Sequence, residues 1–210
     1  MLSVVEVSKG GDMNIKGIIF DWFGVCTIEN WADVLGRELG EKFNLEESFV
    51  KQNFKPLIQP FARGEITPDI FLEKFIHSLK KDEDFQKFRY LFEKVPEVNF
   101  ELLDYILELK KRYSVFLLSN NFGPVFPNYE KTVDFKKYFD KLFLSHELRV
   151  SKTQDEIWNR VLPEFDYKPE ELLFIDNKEE YFGPAKKKGI NTLLFLDNDQ
   201  VRKNLADLGI

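Results

Sequence analysis

Residues 15–25 read IKGIIFDWFGV, a short, mainly apolar run (15–20) that closes on Asp21 and is followed three residues later by Gly24. A short apolar run of this kind fits a parallel strand covered on both faces, here running into a loop. Four similar runs follow at residues 115–119, 141–145, 172–176 and 192–196. Between them lie helical patterns. Residues 100–113 carry Leu102, Leu103, Ile106, Leu107 and Leu109, and shorter patterns occupy 155–162, 181–188 and 200–208. Strands alternating with helices predict an α/β fold, a doubly wound parallel sheet. Right-handed crossovers would gather the loops after the strands on one edge of that sheet.

Residues 29–96 break the rhythm. They offer no good strand but four amphipathic helical patterns, at 31–39, 46–53, 67–79 and 82–92. Thr67 before Pro68 has the form of a helix start, with a hydroxyl cap and proline at the first helical position. The simplest organisation is a Rossmann-like core (14–28 and 97–210) into which a small helical cap domain (29–96) is inserted. Residues 1–13 read as an N-terminal tail, without the basic start and apolar stretch of a signal peptide.

Composition narrows the function. The 210 residues are 43% hydrophobic and 31% charged, with 22 phenylalanines, so aromatic packing should fill much of the interior. A net charge of −6 argues against a dedicated nucleic-acid binder. No apolar run reaches the roughly 18–20 residues that span a bilayer, so no membrane partner is expected. Cys26 is the only cysteine, which excludes an intramolecular disulfide and a thiolate zinc site and suits a reducing, cytoplasmic setting. It reads as a small packing residue rather than a nucleophile. His77 and His146 have no partner that suggests metal binding.

In an open parallel sheet, ligands bind beyond the carboxyl ends of the strands. There the first strand presents Asp21, the second Ser119, Asn120 and Asn121, and the fourth Asp176 and Asn177, while Lys152 follows the third. A carboxylate can attack phosphorus and carry an aspartyl phosphate. A second can hold Mg²⁺, a hard ion that prefers oxygen. A hydroxyl, amide N–H groups and a lysine can then neutralise the phosphoryl oxygens.

With these residues in view, the chain resembles the haloacid dehalogenase (HAD) superfamily, whose members are mostly phosphatases. Four segments carry the likeness in order: IIFDWFGV (18–25), VFLLSNN (115–121), SKTQDEIW (151–158) and LLFIDNKEEYFGPAKKKGI (172–190). FARGEITPDIF (61–71), LLSNN (117–121) and LFLSHEL (142–148) narrow it to small-cap phosphatases of the α-glucose-1-phosphate phosphatase type. The resemblance implies that Asp21 is the nucleophile, that Ser119 and Asn120 bind the phosphoryl group, and that Lys152 orients it. It also implies that Asp176 and the backbone carbonyl of Phe23 join Asp21 in holding Mg²⁺, and that the substrate is a small phosphorylated molecule, with sugar phosphates first in view.

Three positions depart from the family pattern. Phe23 stands where most relatives carry an aspartate that acts as general acid and base, a role typically contributing ~10²–10⁴-fold. Asn177 follows Asp176 where a second acid is common, and Glu180 is the candidate to supply that carboxylate, directly or through a water. Thr153 replaces a proline after Lys152. Trp22 and Phe23 either shape the substrate pocket or belong to the aromatic core. Two other functions compete: a metal-independent 2-haloacid dehalogenase, against which Asp176 speaks, and a catalytically inactive phosphate-binding or interaction module.

Overall fold

Residues 17–20 carry no polar side chain, so they are stable only where both faces are covered. In the computed structural model, which describes residues 5–6 and 14–210, all four are buried. The sheet comprises β1 (Val5–Glu6), β2 (Gly17–Phe20), β3 (Ser114–Ser119), β4 (Lys141–Leu144), β5 (Leu172–Asp176) and β6 (Asn191–Leu194). Their spatial order is β1-β6-β5-β2-β3-β4. Strands β2 to β6 run parallel, and β1 adds an antiparallel edge to β6. Residues 5–6, expected within a tail, therefore pair into the sheet; the rest of 1–13 lies outside the described residues.

Alternation along the strands divides the core in two. Ile18, Phe20, Val115, Leu117, Leu173 and Ile175 face one hydrophobic cluster. Ile19, Phe116, Leu118, Leu172 and Phe174 face the other. Gly17 opens β2 where a β-carbon would lie 2.7 Å from Leu172 Cδ2, so a larger residue here would have to push that side chain aside.

The inserted segment holds α1 (Trp31–Phe43), α2 (Glu47–Ala62), α3 (Pro68–Ser78) and a 3₁₀ segment (Phe85–Glu93), with no named strand among them. Its ends meet at a neck, where Ile28 N–H donates to Glu97 O and Asn99 N–H to Cys26 O, each at 2.9 Å. Helix α2 runs well past the predicted 46–53, through Pro56 and Pro60. Each proline removes a helical hydrogen bond, and burial of Val50, Phe54, Phe61 and Ala62 offsets that loss. The segment expected as an α-helix at 82–92 is 3₁₀ instead. Its apolar residues Phe85, Phe88 and Leu91 recur every three positions, and that period stacks them on one face of a 3₁₀ turn. Thr67 caps α3 as predicted, its Oγ1 accepting from Ile70 N–H at 3.2 Å.

In the core, α4 (Phe100–Leu109), α5 (Phe126–Glu130) and α6 (Phe135–Tyr138) pack on the first cluster. After α7 (Ser145–Leu148), α8 (Glu156–Val161) and α9 (Phe182–Lys187) cover the second. The last helix, α10 (Asn198–Asp207), returns to the first through Val201 and Leu205. Helices on both faces make the sheet doubly wound.

Candidate active site

Register sets the carboxylates side by side. Phe20 pairs with Ile175 in β5 and with Leu117 in β3. Asp21 N–H then donates to Ile175 O at 3.0 Å, which brings Asp21 level with the end of β5 and its last residue, Asp176. From β2 the chain proceeds to β3 on one side and later to β5 on the other. Asp21 thus stands at the switch point of the sheet, where ligands are expected.

The loop after β2 is held from inside. Asp21 Oδ1 accepts from Trp22 N–H at 2.7 Å, and Thr27 N–H donates to Trp22 O at 2.9 Å. Gly24 adopts φ 74°, and a β-carbon there would lie 2.2 Å from Asn177 Nδ2. The amide of Asn177, half-buried after Asp176, therefore packs directly on the turn that carries Phe23 and Gly24.

Lys152 bridges the two acids. Its Nζ lies 2.7 Å from Asp21 Oδ1 and 2.5 Å from Asp176 Oδ2, with all three side chains buried. The ammonium also sits 4.7 Å from the centre of the Tyr181 ring. Burial works against the charge on Lys152, but Asp176 and Asp21 outweigh it and raise its pKa. Asp176 is pushed up to about 7, first by burial and then by Asp21, against the opposing pull of Lys152. Once Asp176 ionises, two carboxylates face one ammonium, and the excess negative charge in a buried place favours a further cation.

The residues present fit a hard divalent ion. Asp21 and Asp176 are carboxylate donors at adjoining strand ends, and the carbonyl of Phe23 follows in the turn after β2. Asn177 Oδ1, buried with no hydrogen-bond partner, adds a neutral oxygen beside them. Ser119 Oγ and Asn120 Nδ2 are likewise buried and unpartnered. Polar atoms left bare in this way are costly unless a ligand completes them. Asn120 is oriented through its other atom, Oδ1, which accepts from Lys152 N–H at 2.9 Å.

These side chains meet a cavity of about 400 Å³, counting the part open to solvent. Asp21, Phe23, Asn120 and Lys152 line it, and Trp31, Phe54 and Ile58 close it from the inserted helices. Ser119 is fully buried and is not part of that lining.

Two expected residues fall elsewhere. Trp22 is wholly buried, its ring 5.0 Å from that of Tyr129 and 4.9 Å from that of Phe135, so it belongs to the core while its neighbour Phe23 faces the cavity. Glu180 is exposed, in a 3₁₀ turn that lines a separate surface groove with Lys51 and Lys55. Among the described residues no group of three acidic, histidine or cysteine side chains could hold a metal, so Glu180 does not join Asp21 and Asp176. Helix α8 starts at Glu156, four residues after Lys152, because Ser151 to Gln154 form a turn in which Gln154 Oε1 accepts from Ser151 N–H at 3.1 Å.

Sequence reasoning missed Lys178, Tyr181, Phe122 and Ser145. Lys178 and Tyr181 line the cavity, and Lys178 N–H donates to Asp176 Oδ1 at 2.9 Å. Phe122 enters the aromatic cluster of the inserted helices, 5.0 Å from Trp31 and 5.2 Å from Phe61. Ser145 Oγ accepts from Asn121 N–H at 2.9 Å and donates to Ala62 O at 2.6 Å, tying the loop after β3 to the end of α2. Their position at or shortly after the ends of strands is the one local signal that could have suggested Phe122, Ser145 and Lys178.

No family model matches the chain. It is similar to D-ribitol-5-phosphate phosphatase of Bacteroides thetaiotaomicron, 27% identical over 195 residues, covering 85% of this chain and 90% of that protein. Among solved structures, a HAD-family enzyme of the same bacterium superposes with a TM-score of 0.64 at 25% identity, covering 86% of this chain and 93% of that one. That enzyme has also been crystallised with magnesium and inorganic phosphate; the complex superposes with a TM-score of 0.65 at 24% identity, over 86% and 93% of the two chains. A HAD-like hydrolase of Porphyromonas gingivalis gives 0.68 at 22% identity, over 93% and 98% of the two chains.

Proposed function

We propose that this chain, which belongs to the haloacid dehalogenase superfamily of hydrolases, is a magnesium-dependent phosphatase acting on a small phosphate ester. The observation that carries the reading is the buried Asp21–Lys152–Asp176 bridge beside the unpartnered Ser119 and Asn120. The named activity of the Bacteroides relative, and the magnesium and phosphate held by its HAD-family neighbour, support it.

Asp21 Oδ1 is engaged by Lys152 and Trp22, which turns Oδ2 to the substrate. That oxygen attacks phosphorus, the bond to the leaving oxygen breaks, and an aspartyl phosphate forms. Lys152 and Asn120 Nδ2, both in the cavity lining, donate to the phosphoryl oxygens as charge gathers on them, and Ser119, fully buried at the end of β3, lies behind them. Magnesium, held by Asp21, Asp176, the Phe23 carbonyl and Asn177, would supply charge neutralisation at the same oxygens. Water then attacks phosphorus, the bond to Asp21 breaks, and phosphate is released. The inserted helices act as a cap that excludes bulk water and contacts the leaving group. A single buried cysteine suits a cytoplasmic setting.

Phosphate release from p-nitrophenyl phosphate, with Mg²⁺ and with chelator, beside Asp21→Asn, tests this reading. Turnover that needs the metal and vanishes in the variant is expected. No turnover by a folded protein would favour the inactive binding module, and metal-independent halide release from 2-haloacids the dehalogenase.

A further inference from the structure

The cavity offers the leaving group rings rather than polar partners. Phe23, Trp31, Phe54, Ile58 and Phe122 form its apolar wall. The wall is continuous: Phe122 lies 6.0 Å from Phe23 and 5.0 Å from Trp31, ring centre to ring centre, and Trp31 lies 5.7 Å from Phe54. Asp21, Lys152 and Asn120 are engaged with the phosphoryl group. That leaves Asn30, Lys178 and Tyr181 as the polar residues a leaving group could meet. A polyol would set several hydroxyls against aromatic rings, stripped of water and without partners. A flat apolar ring would lose nothing there and would gain ring contacts.

The proton inventory leads the same way. Among the described residues no carboxyl other than Asp21 lines the cavity, and Asp176 is tied to Lys152 and the Lys178 amide. Phe23, on the nucleophile's own loop, has no proton to give. A leaving oxygen that departs unprotonated must be a weak base: a phenol, with a pKa of ~10 as in tyrosine, qualifies far better than an alcohol, whose pKa approaches the ~16 of water.

We propose that the leaving group is aromatic, so that the substrate class of this phosphatase is the aryl phosphate monoester. The inference rests on the phosphatase reading above. Asp21 Oδ2 forms its bond to phosphorus as the P–O(aryl) bond breaks. The electron pair leaves with the phenolate oxygen, which takes a proton from solvent after release. Water then splits the aspartyl phosphate to inorganic phosphate and the Asp21 carboxylate.

The test measures kcat/KM of the full chain with Mg²⁺ over phenyl phosphates of rising phenol pKa, beside D-ribitol 5-phosphate and glycerol phosphate. A steep fall along the phenyl series is expected, with both polyol phosphates about 100-fold or more below phenyl phosphate, the scale of a missing general acid. Phe23→Asp, checked for folding by its melting curve, should flatten the series and raise the polyol phosphates. Ile58→Asn, at a half-buried position of α2, should raise KM for phenyl phosphate more than for glycerol phosphate. A flat series, or a polyol phosphate within about tenfold of phenyl phosphate, overturns the aryl assignment and leaves the phosphatase reading standing. Absence of Asp21-dependent turnover on every ester overturns both.

Discussion

Asn177 and Gly24 are in direct contact across the mouth of the site: a β-carbon on residue 24 would sit 2.2 Å from Asn177 Nδ2. The contact packs the turn after Asp21 against the strand end that carries Asp176. Gly24 also adopts φ 74°, where a β-carbon is strained on its own account. Gly24→Ala is expected to lower stability by about 1–3 kcal/mol and to reduce turnover more than that loss explains. Urea denaturation read beside kcat would reveal it. A variant as active as the parent would mean that Asn177 can move aside freely.

Removing Lys152 strands two buried carboxylates. Lys152→Met should destabilise the metal-free protein by about 3–5 kcal/mol, the range seen when one member of a buried ion pair is lost. Mg²⁺ should recover part of that stability, since it brings positive charge back to the same oxygens. Melting temperatures of parent and variant, with and without Mg²⁺, are the measurement. An unchanged melting temperature in chelator would show that the bridge contributes nothing.

The pH dependence of metal-free stability should carry the mark of Asp176. Its carboxyl is raised in the folded chain, from an ordinary 3.8 to about 7, by burial and then by Asp21. The folded state therefore holds this proton more tightly than the unfolded state does. Its contribution is full below about pH 4 and is lost as pH rises through about 7. Mg²⁺ competes with the proton, so its stabilising effect should grow over that same window. Calorimetric melts from pH 5 to 8.5, with Mg²⁺ and with chelator, follow it. An Mg²⁺ shift that is constant across the range would contradict the assignment.

Cys26 is fully buried, and burial pushes its thiol well up, with Asp21 adding to the effect. A thiol in that state is a poor nucleophile. Labelling by a thiol reagent should be slow in the native protein and rise with denaturant. Asp21→Asn should leave it slow, because burial is the larger cause. Fast native labelling would mean that the first cluster opens readily around residue 26.

Ser145→Ala removes the hydroxyl whose hydrogen bonds to Asn121 and Ala62 join the Asn121 loop to the end of α2. The Asn121 amide is then left buried without its acceptor, at a cost of about 1–3 kcal/mol. Both stability and KM should suffer, because Asn120 sits on the same loop and lines the cavity. Ser145→Thr, which keeps the hydroxyl, should restore more of the KM than of the stability.

Much of the sheet was legible because buried parallel strands are written as uninterrupted apolar runs; the runs ending at Asp21, Ser119 and Asp176 are all strands and all bring their last polar residue to one edge. The inserted helices were harder to read. Pro56 and Pro60 mark an end to α2 that aromatic burial overrides, and the spacing of Phe85, Phe88 and Leu91 distinguishes 3₁₀ from α only once the period of three is weighed. Within the site, Trp22 and Phe23 are adjacent aromatics whose opposite fates depend on the turn at Gly24. Glu180 failed for a related reason: its distance from Asp176 along the chain is short, but a 3₁₀ turn directs it to solvent. Lys178, Tyr181 and Ser145 depend on which loops meet, and no local pattern encodes that.

Phe122 belongs at once to the wall of the cavity and to the aromatic cluster that joins the inserted helices to the sheet. The shape of the cavity and the packing of the inserted helices therefore share a part. A change at residue 122 that reshapes the space for a new molecule also changes how firmly those helices are held to the sheet. Adaptation of this enzyme to another substrate along that wall would alter that packing in the same step, and the two properties could be separated only through residues such as Ile58, which line the cavity without belonging to that ring cluster.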